Sequence, residues 1–284
     1  MSSWTDFHDF EHTGWERAAA CYSNTFGTLT AKAAGPLLDA AGVRSGTRLL
    51  DVATGPGFVA GAAAARGASV AGVDFSPLMV AEARRRYPQI MFIEGDAEAL
   101  AVGDDQLDAV VMNFGLLHLA RPEAAIAEAR RVLAPGGRYA LTVWARPEEA
   151  VGFGVVLRAM AAHGTTDVGL PEGPPFFRFS DPDESRATLT RAGFVDVGVR
   201  QLPLVWRLPT PEALFDAALH GGVRTSAALQ AQTPLALAAI HHAVVSQLQQ
   251  YREGDAVAIP MPVVLVSGTK PADPADPTGS ALRR

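Results

Sequence analysis

The sequence predicts an α/β fold with a doubly wound, mainly parallel sheet, and three observations carry that prediction. Short apolar runs alternate with helix-length segments between residues 47 and 144. Gly and Pro punctuate the joins, as at Gly55-Pro56-Gly57 and Pro135-Gly136-Gly137. Polar or glycine-rich residues stand at or just past the ends of the apolar runs: Asp51 to Gly57, Asp74, Asp96 and Asn113. Ligands of such sheets bind beyond the carboxyl ends of the strands, so these four ends predict one crevice.

Taken in order, residues 15–30 and 32–41 read as helices, with Tyr22 and Phe26 on one face. Thr47 to Ala53 is the first strand, and the Ala-rich run from Phe58 to Arg66 the helix after it. Ala68 to Asp74 is the second strand. Ser76-Pro77 then supplies an N-cap and a first-turn proline for a helix to about Arg86. Ile90 to Glu94, Leu107 to Asn113 and Arg138 to Trp144 are further strands, with a helix over Pro122 to Leu133. Residues 145–179 read as insertion and loop. Asp181-Pro182-Asp183-Glu184 opens a capped helix that closes at Gly193, ahead of a strand from Val195 to Gln201. Helices start at Thr210 and Thr233, and Met261 to Gly268 is the last strand.

Composition narrows the function. The chain has 284 residues, 48% of them apolar, enough for a sizeable core. A net charge of −6 gives no global attraction for nucleic acid or anionic membrane, and no apolar run reaches the length of a bilayer span. Arg84-Arg85-Arg86 reads as a solvated helix face. The single cysteine, Cys21, leaves no internal disulfide or Cys-based zinc site and suits a reducing cytosol. The opening residues lack the basic-then-apolar layout of a signal peptide, so a cytoplasmic location is expected.

The loop after the first strand has two readings. Gly55-Pro56-Gly57-Phe58-Val59-Ala60 fits the dinucleotide fingerprint, with Asp74 as the acidic residue about 20 positions on. The pattern can also begin earlier, at Asp51, with Ala53 in the place of a first glycine.

The whole set of motifs decides between them. Leu-Leu-Asp-Val-Ala-Thr-Gly-Pro-Gly, Gly-Val-Asp-Phe-Ser-Pro-Leu-Met, Glu-Gly-Asp-Ala-Glu-Ala-Leu, Asp-Ala-Val-Val-Met-Asn-Phe-Gly-Leu-Leu-His and Arg-Arg-Val-Leu-Ala-Pro-Gly-Gly-Arg occur in this order. Together they resemble the class I S-adenosylmethionine-dependent methyltransferases, in the group of ubiquinone/menaquinone-type and small-molecule enzymes. The resemblance implies a Rossmann-like sheet of seven strands, six parallel and the last antiparallel, with helical cap insertions. It implies a helical lid over residues 1–46 and a catalytic domain over 47–270 with caps at 146–180 and 202–260; the Pro-, Ala- and Asp-rich composition of 271–284 reads as a disordered tail.

It also implies S-adenosylmethionine as cofactor, with S-adenosylhomocysteine as product. Asp74 would accept both ribose hydroxyls. Asp96 would accept from the adenine amino group, with Gly95 beside it and the Ala97 N–H reaching the ring. Phe75 and Met79 would sandwich the adenine. The backbone of Ala53, Thr54, Gly55 and Gly57 would hold the methionine moiety, and Asp51 would orient the loop or the ligand's ammonium. Asn113 and Phe114 would bound the pocket near the sulfonium, and Tyr22 would reach in from the lid. Simple capping roles compete for Asp74 and Asp96, and plain core packing for Phe75, Met79 and Tyr22.

Methyl transfer asks mostly for in-line positioning and exclusion of water. His118 is the candidate base, since it follows the fourth strand, where acceptor and methyl should meet; a structural role under the helix at Pro122 is the equal alternative. His163, His220, His241 and His242 fall in the cap, and the adjacent pair on one helix does not suit a metal, so none is expected. Phe153, Phe176, Phe177, Phe179, Trp144 and Trp206 suggest a small aromatic or apolar acceptor, or else ordinary core. No nucleic-acid or membrane partner is expected, and the chain is expected to be a monomer or homodimer. The rivals are an NAD(P)-dependent oxidoreductase and a methyltransferase fold that binds the cofactor without transferring a methyl group.

Overall fold

The computed structural model describes residues 3–272. Three helices come first: α1 (Ser3–Tyr22), α2 (Phe26–Thr30) and α3 (Ala34–Ala40). The alternating half follows as β1 (Arg48–Val52), α4 (Phe58–Ala65), β2 (Ser69–Asp74), α5 (Pro77–Arg86), β3 (Met91–Glu94), β4 (Leu107–Asn113), α6 (Pro122–Val132) and β5 (Leu133–Trp144). Beyond it lie α7 (Val151–His163), α8 (Pro182–Arg191), β6 (Val195–Leu202), β7 (Val205–Leu208), α9 (Glu212–His220), α10 (Arg224–Gln230), α11 (Pro234–Leu248), β8 (Arg252–Glu253), β9 (Ala256–Pro260) and β10 (Val263–Thr269).

Seven strands form one sheet in the order β3-β2-β1-β4-β5-β10-β6. The first five pair parallel, and β10 runs antiparallel between β5 and β6. Neighbours of β1 lie on both sides, β2 in one direction and β4 in the other, so the strand order reverses at β1 and the crevice opens there. Leu49, Leu50, Val52, Val110, Val111, Met112 and Leu141 are all 2% exposed or less, which is the continuous apolar run of a sheet covered on both faces.

The expected caps are present. Ser76 accepts from the Met79 N–H at 3.1 Å, Asp181 from those of Asp183 and Glu184, and Thr233 from that of Ala236.

Three expectations are corrected. The first helix starts at Ser3 rather than near residue 15. Residues 145–179 are not all loop: α7, with Phe153, Val155, Val156 and Met160 buried, runs through them and packs on α11. Residues 202–260 are not purely helical, because β7, β9 and β8 form a small antiparallel sheet. Trp206 belongs to that sheet and donates its indole N–H to Thr28 at 3.1 Å. Of the expected tail, residues 273–284 lie outside the described residues.

Candidate active site

The carboxyl ends of β1, β2 and β4, with the loop after β3, meet in a crevice. It is lined by Tyr22, Asp51, Ala53, Thr54, Gly55, Asp74, Phe75, Met79, Gly95, Asp96, Ala97, Asn113, Phe114 and His118, so the predicted residues converge. Gly57 is the exception. It takes a left-handed φ of +81°, and a Cβ there would meet the Phe92 and Tyr87 rings at 2.9 and 3.1 Å. Its task is to let the turn pack.

Asp51 is 1% exposed. Its Oδ2 accepts from Thr54 Oγ1 at 2.7 Å and from the Ala60 N–H at 3.0 Å, which ties strand, loop and helix together. Its Oδ1 is buried and has no hydrogen-bond partner among the described residues. Burial pushes this carboxyl up to about 7; the Thr54 and Ala60 bonds pull against that, and Asp74 adds to it. An orphaned buried carboxylate oxygen lining a cavity suits a ligand that brings its own cationic donor.

Asp74, at the end of β2, accepts the Gly55 N–H on Oδ2 at 2.8 Å and the Ser76 N–H on Oδ1 at 3.0 Å. Burial raises it to about 6, while those two bonds pull it down and Glu16 pushes it up. Each oxygen keeps a lone pair for a hydroxyl donor, so its structural bonds leave capacity for a diol. Asp96 accepts from the Glu98 N–H at 2.8 Å with Oδ1 only. Its capping role, too, leaves one oxygen for a ligand. A Cβ on Gly55 would meet nothing within 4 Å, consistent with backbone laid bare to a ligand.

Asn113 is committed to the fold. Its Nδ2 donates to the Thr30 carbonyl at 3.1 Å and its Oδ1 accepts from Thr142 Oγ1 at 2.6 Å, which locks the N-terminal segment onto the end of β4. Phe114 follows with φ +59° and sets its ring 4.1 Å from that of Trp144. The Tyr22 hydroxyl pairs with Thr30 Oγ1 at 2.9 Å, and burial raises it to about 12.

A second cavity adjoins the first and shares Trp15, Tyr22, Thr30, Phe114 and His118 with it. Its other walls include Phe26, Trp144, Phe153, Phe176 and Arg224. Phe177, Phe179 and Trp206 are not among its lining residues.

Sequence reasoning missed several contributors on α1. His8 and Trp15 line the crevice, and His8 and His12 meet the Phe75 ring edge-on at 5.8 and 5.3 Å. Glu16 accepts from the Ser76 hydroxyl and from the Leu78 N–H, pinning α1 to the start of α5. Among the described residues no group of three or more His, Cys, Asp or Glu side chains is placed to hold a metal ion, and no helix is long and apolar enough to cross a membrane.

Comparison with known proteins shows the family and the fold. Residues 50–141 match the family model described as a methyltransferase domain. The demethylmenaquinone methyltransferase of Beutenbergia cavernae is 41% identical over 121 residues, which cover 41% of this chain and 50% of that protein. That of Renibacterium salmoninarum is 34% identical over 175 residues, covering 58% of this chain and 74% of that protein. The chain thus spans half the length of the first relative and about three quarters of the second. Among solved structures, a Haemonchus contortus phosphoethanolamine N-methyltransferase bound to S-adenosylhomocysteine superposes with a TM-score of 0.59 at 20% identity, covering 93% of this chain and 60% of that one. The [4+2]-cyclase SpnF superposes with a TM-score of 0.52 at 20% identity, covering 86% and 82%. Both likenesses are of fold.

Proposed function

Because the chain belongs to the class I S-adenosylmethionine-dependent methyltransferases, we propose that it transfers a methyl group to a small, ring-bearing acceptor held in the aromatic cavity. The observation that carries this reading is the wall of five residues common to both cavities, with His118 among them. A cofactor in the crevice and an acceptor in the aromatic chamber would meet across that wall. S-adenosylmethionine, when bound, supplies an electrophilic methyl on a sulfonium.

The chain's residues would do the rest. Asp51 Oδ1 would receive the ligand's ammonium, Asp74 the ribose diol and Asp96 the adenine amino group. Met79 and Phe75 would flank the base, with His8 and His12 behind Phe75. Gly55 would leave the backbone open to the methionine moiety. Phe26, Trp144, Phe153 and Phe176 would take the acceptor's ring and keep water from the transfer. His118 would accept the acceptor's proton. The name of the curated relatives, demethylmenaquinone methyltransferase, supports a quinone-like ring as acceptor.

Two measurements test the reading. Thermal stability is taken with S-adenosylhomocysteine, NAD and NADP, and S-adenosylhomocysteine alone should raise the melting temperature. A ligand at 100 times its Kd adds about 2.7 kcal/mol. A rise with a nicotinamide cofactor instead would point to an oxidoreductase. Labelled methyl transfer is then followed with phenol, naphthol and naphthohydroquinone as acceptors. Cofactor binding with no labelled product from any of them would leave a fold put to other chemistry, the use suggested by the likeness to a cyclase.

A further inference from the structure

Beside the two cavities lies a charge cluster that no ligand role accounts for. Glu11, on α1, is wholly buried between two partners. Its Oε2 lies 2.9 Å from His118 Nδ1, and its Oε1 accepts from Arg224 Nε at 2.7 Å. Arg224, at the start of α10, donates its other nitrogens to the carbonyls of Pro174 and Leu117 at 2.7 and 2.8 Å, and its guanidinium covers the Phe7 ring at 4.5 Å. Every nitrogen of the guanidinium thus serves to hold it still, and it holds Glu11.

We infer that Glu11, fixed by Arg224, is the positioning residue that presents His118 as a base. The inference rests on the methyl-transfer reading above. A carboxylate only accepts, so a neutral His118 must carry its proton on Nδ1, which leaves Nε2 as a bare acceptor. Nε2 has no hydrogen-bond partner among the described residues, and the ring stands between the two cavities. Trp15 and Phe176 meet the ring edge-on at 4.8 and 5.6 Å and fix its plane. Nε2 takes the proton the acceptor releases as its nucleophilic atom bonds the methyl carbon and that carbon's bond to sulfur breaks. The imidazolium so formed lies against a carboxylate already in place, with no reorganisation needed. A purely stabilising role is the weaker account, since buried ion pairs often stabilise no more than an apolar replacement would.

The test is a double-mutant cycle on the full chain, with naphthol as acceptor probe. His118→Ala should lower kcat by about 100-fold or more. Glu11→Gln should lower kcat by about 10-fold or more while leaving the Kd for S-adenosylhomocysteine within about twofold, and should cause no further loss in the His118→Ala background. Losses that multiply, or full activity of Glu11→Gln, would overturn the positioning role and leave the base standing. Full activity of His118→Ala would remove the base and the inference with it. Nitrogen-15 spectra of the histidine-labelled wild-type chain provide a check that needs no variant to fold. They should show neutral His118 protonated at Nδ1, and protonation at Nε2 would overturn the inference.

Discussion

Ala53 and Gly115 share one small space at the rim of the cofactor crevice. A Cβ on Gly115 would stand 2.6 Å from the Ala53 Cβ and 2.9 Å from Met112 Cγ. Ala53, in the place of the motif's first glycine, also sits at φ +54°, where a side chain is strained. Gly115 itself has φ −83°, so a substitution there would be penalised by crowding alone. Gly115→Ala should cost about 1–3 kcal/mol of stability, and adding Ala53→Gly should restore much of it. Thermal melts of both variants decide this. If the second change restores nothing, the contact is not the cause.

Asp51 sets a dependence on pH. Its carboxyl, normally near 3.8, is pushed up to about 7 by burial, and Asp74 to about 6. A raised acid holds its proton more tightly when folded. Its contribution to stability is therefore complete below about 3.8 and is lost as pH rises through about 6 and then 7. Each pH unit between the ordinary and the raised value is worth about 1.4 kcal/mol. Asp51→Asn should melt higher than the wild type at about pH 8 without ligand, with the difference fading toward about pH 4. The same protonation opposes an ammonium ligand, so S-adenosylhomocysteine should bind the wild type more weakly as pH falls below about 7. A flat affinity profile would remove Asp51 from the ligand site.

Asp74→Ala removes charge-assisted bonds to the proposed ribose and the anchor for the Gly55 N–H. Cofactor affinity should weaken by about 1–3 kcal/mol, roughly 5–150-fold, by titration calorimetry. An unchanged Kd would return Asp74 to a structural role.

Phe176 lines the aromatic cavity proposed for the acceptor but not the crevice. Phe176→Ala should therefore raise the KM for naphthol about tenfold while the Kd for S-adenosylhomocysteine holds. A change in both would mean that the two cavities are not separate subsites.

Most of the sheet was legible because each strand is an apolar run ending in a residue of different chemistry. Asp51, Asp74 and Asn113 could be placed at strand ends from the pattern alone, and they converge as expected. The N-terminal helix was half missed. Residues 3–14 are polar and acidic, with only Trp4, Phe7 and Phe10 to mark an apolar stripe. His8, Glu11, Trp15 and Tyr22 nevertheless follow the spacing of one helical face. Three of these four, His8, Trp15 and Tyr22, line the cavities, so the face mixes polar and aromatic side chains. The strands at 205–208 and 256–260 were hidden for another reason: they pair with each other across about 50 residues, and local periodicity carries no trace of such pairing.

Helix α1 lends His8, Trp15 and Tyr22 to the crevice, and Trp15 and Tyr22 to the aromatic cavity. Its polar anchors are Glu16 on α5 and Glu11 on His118 and Arg224. A ligand in either cavity that further restrained the helix would leave the other a smaller loss of conformational freedom, which predicts positive cooperativity even without contact between the ligands. S-adenosylhomocysteine should bind more tightly when naphthol is saturating, and naphthol should gain by the same factor when S-adenosylhomocysteine is.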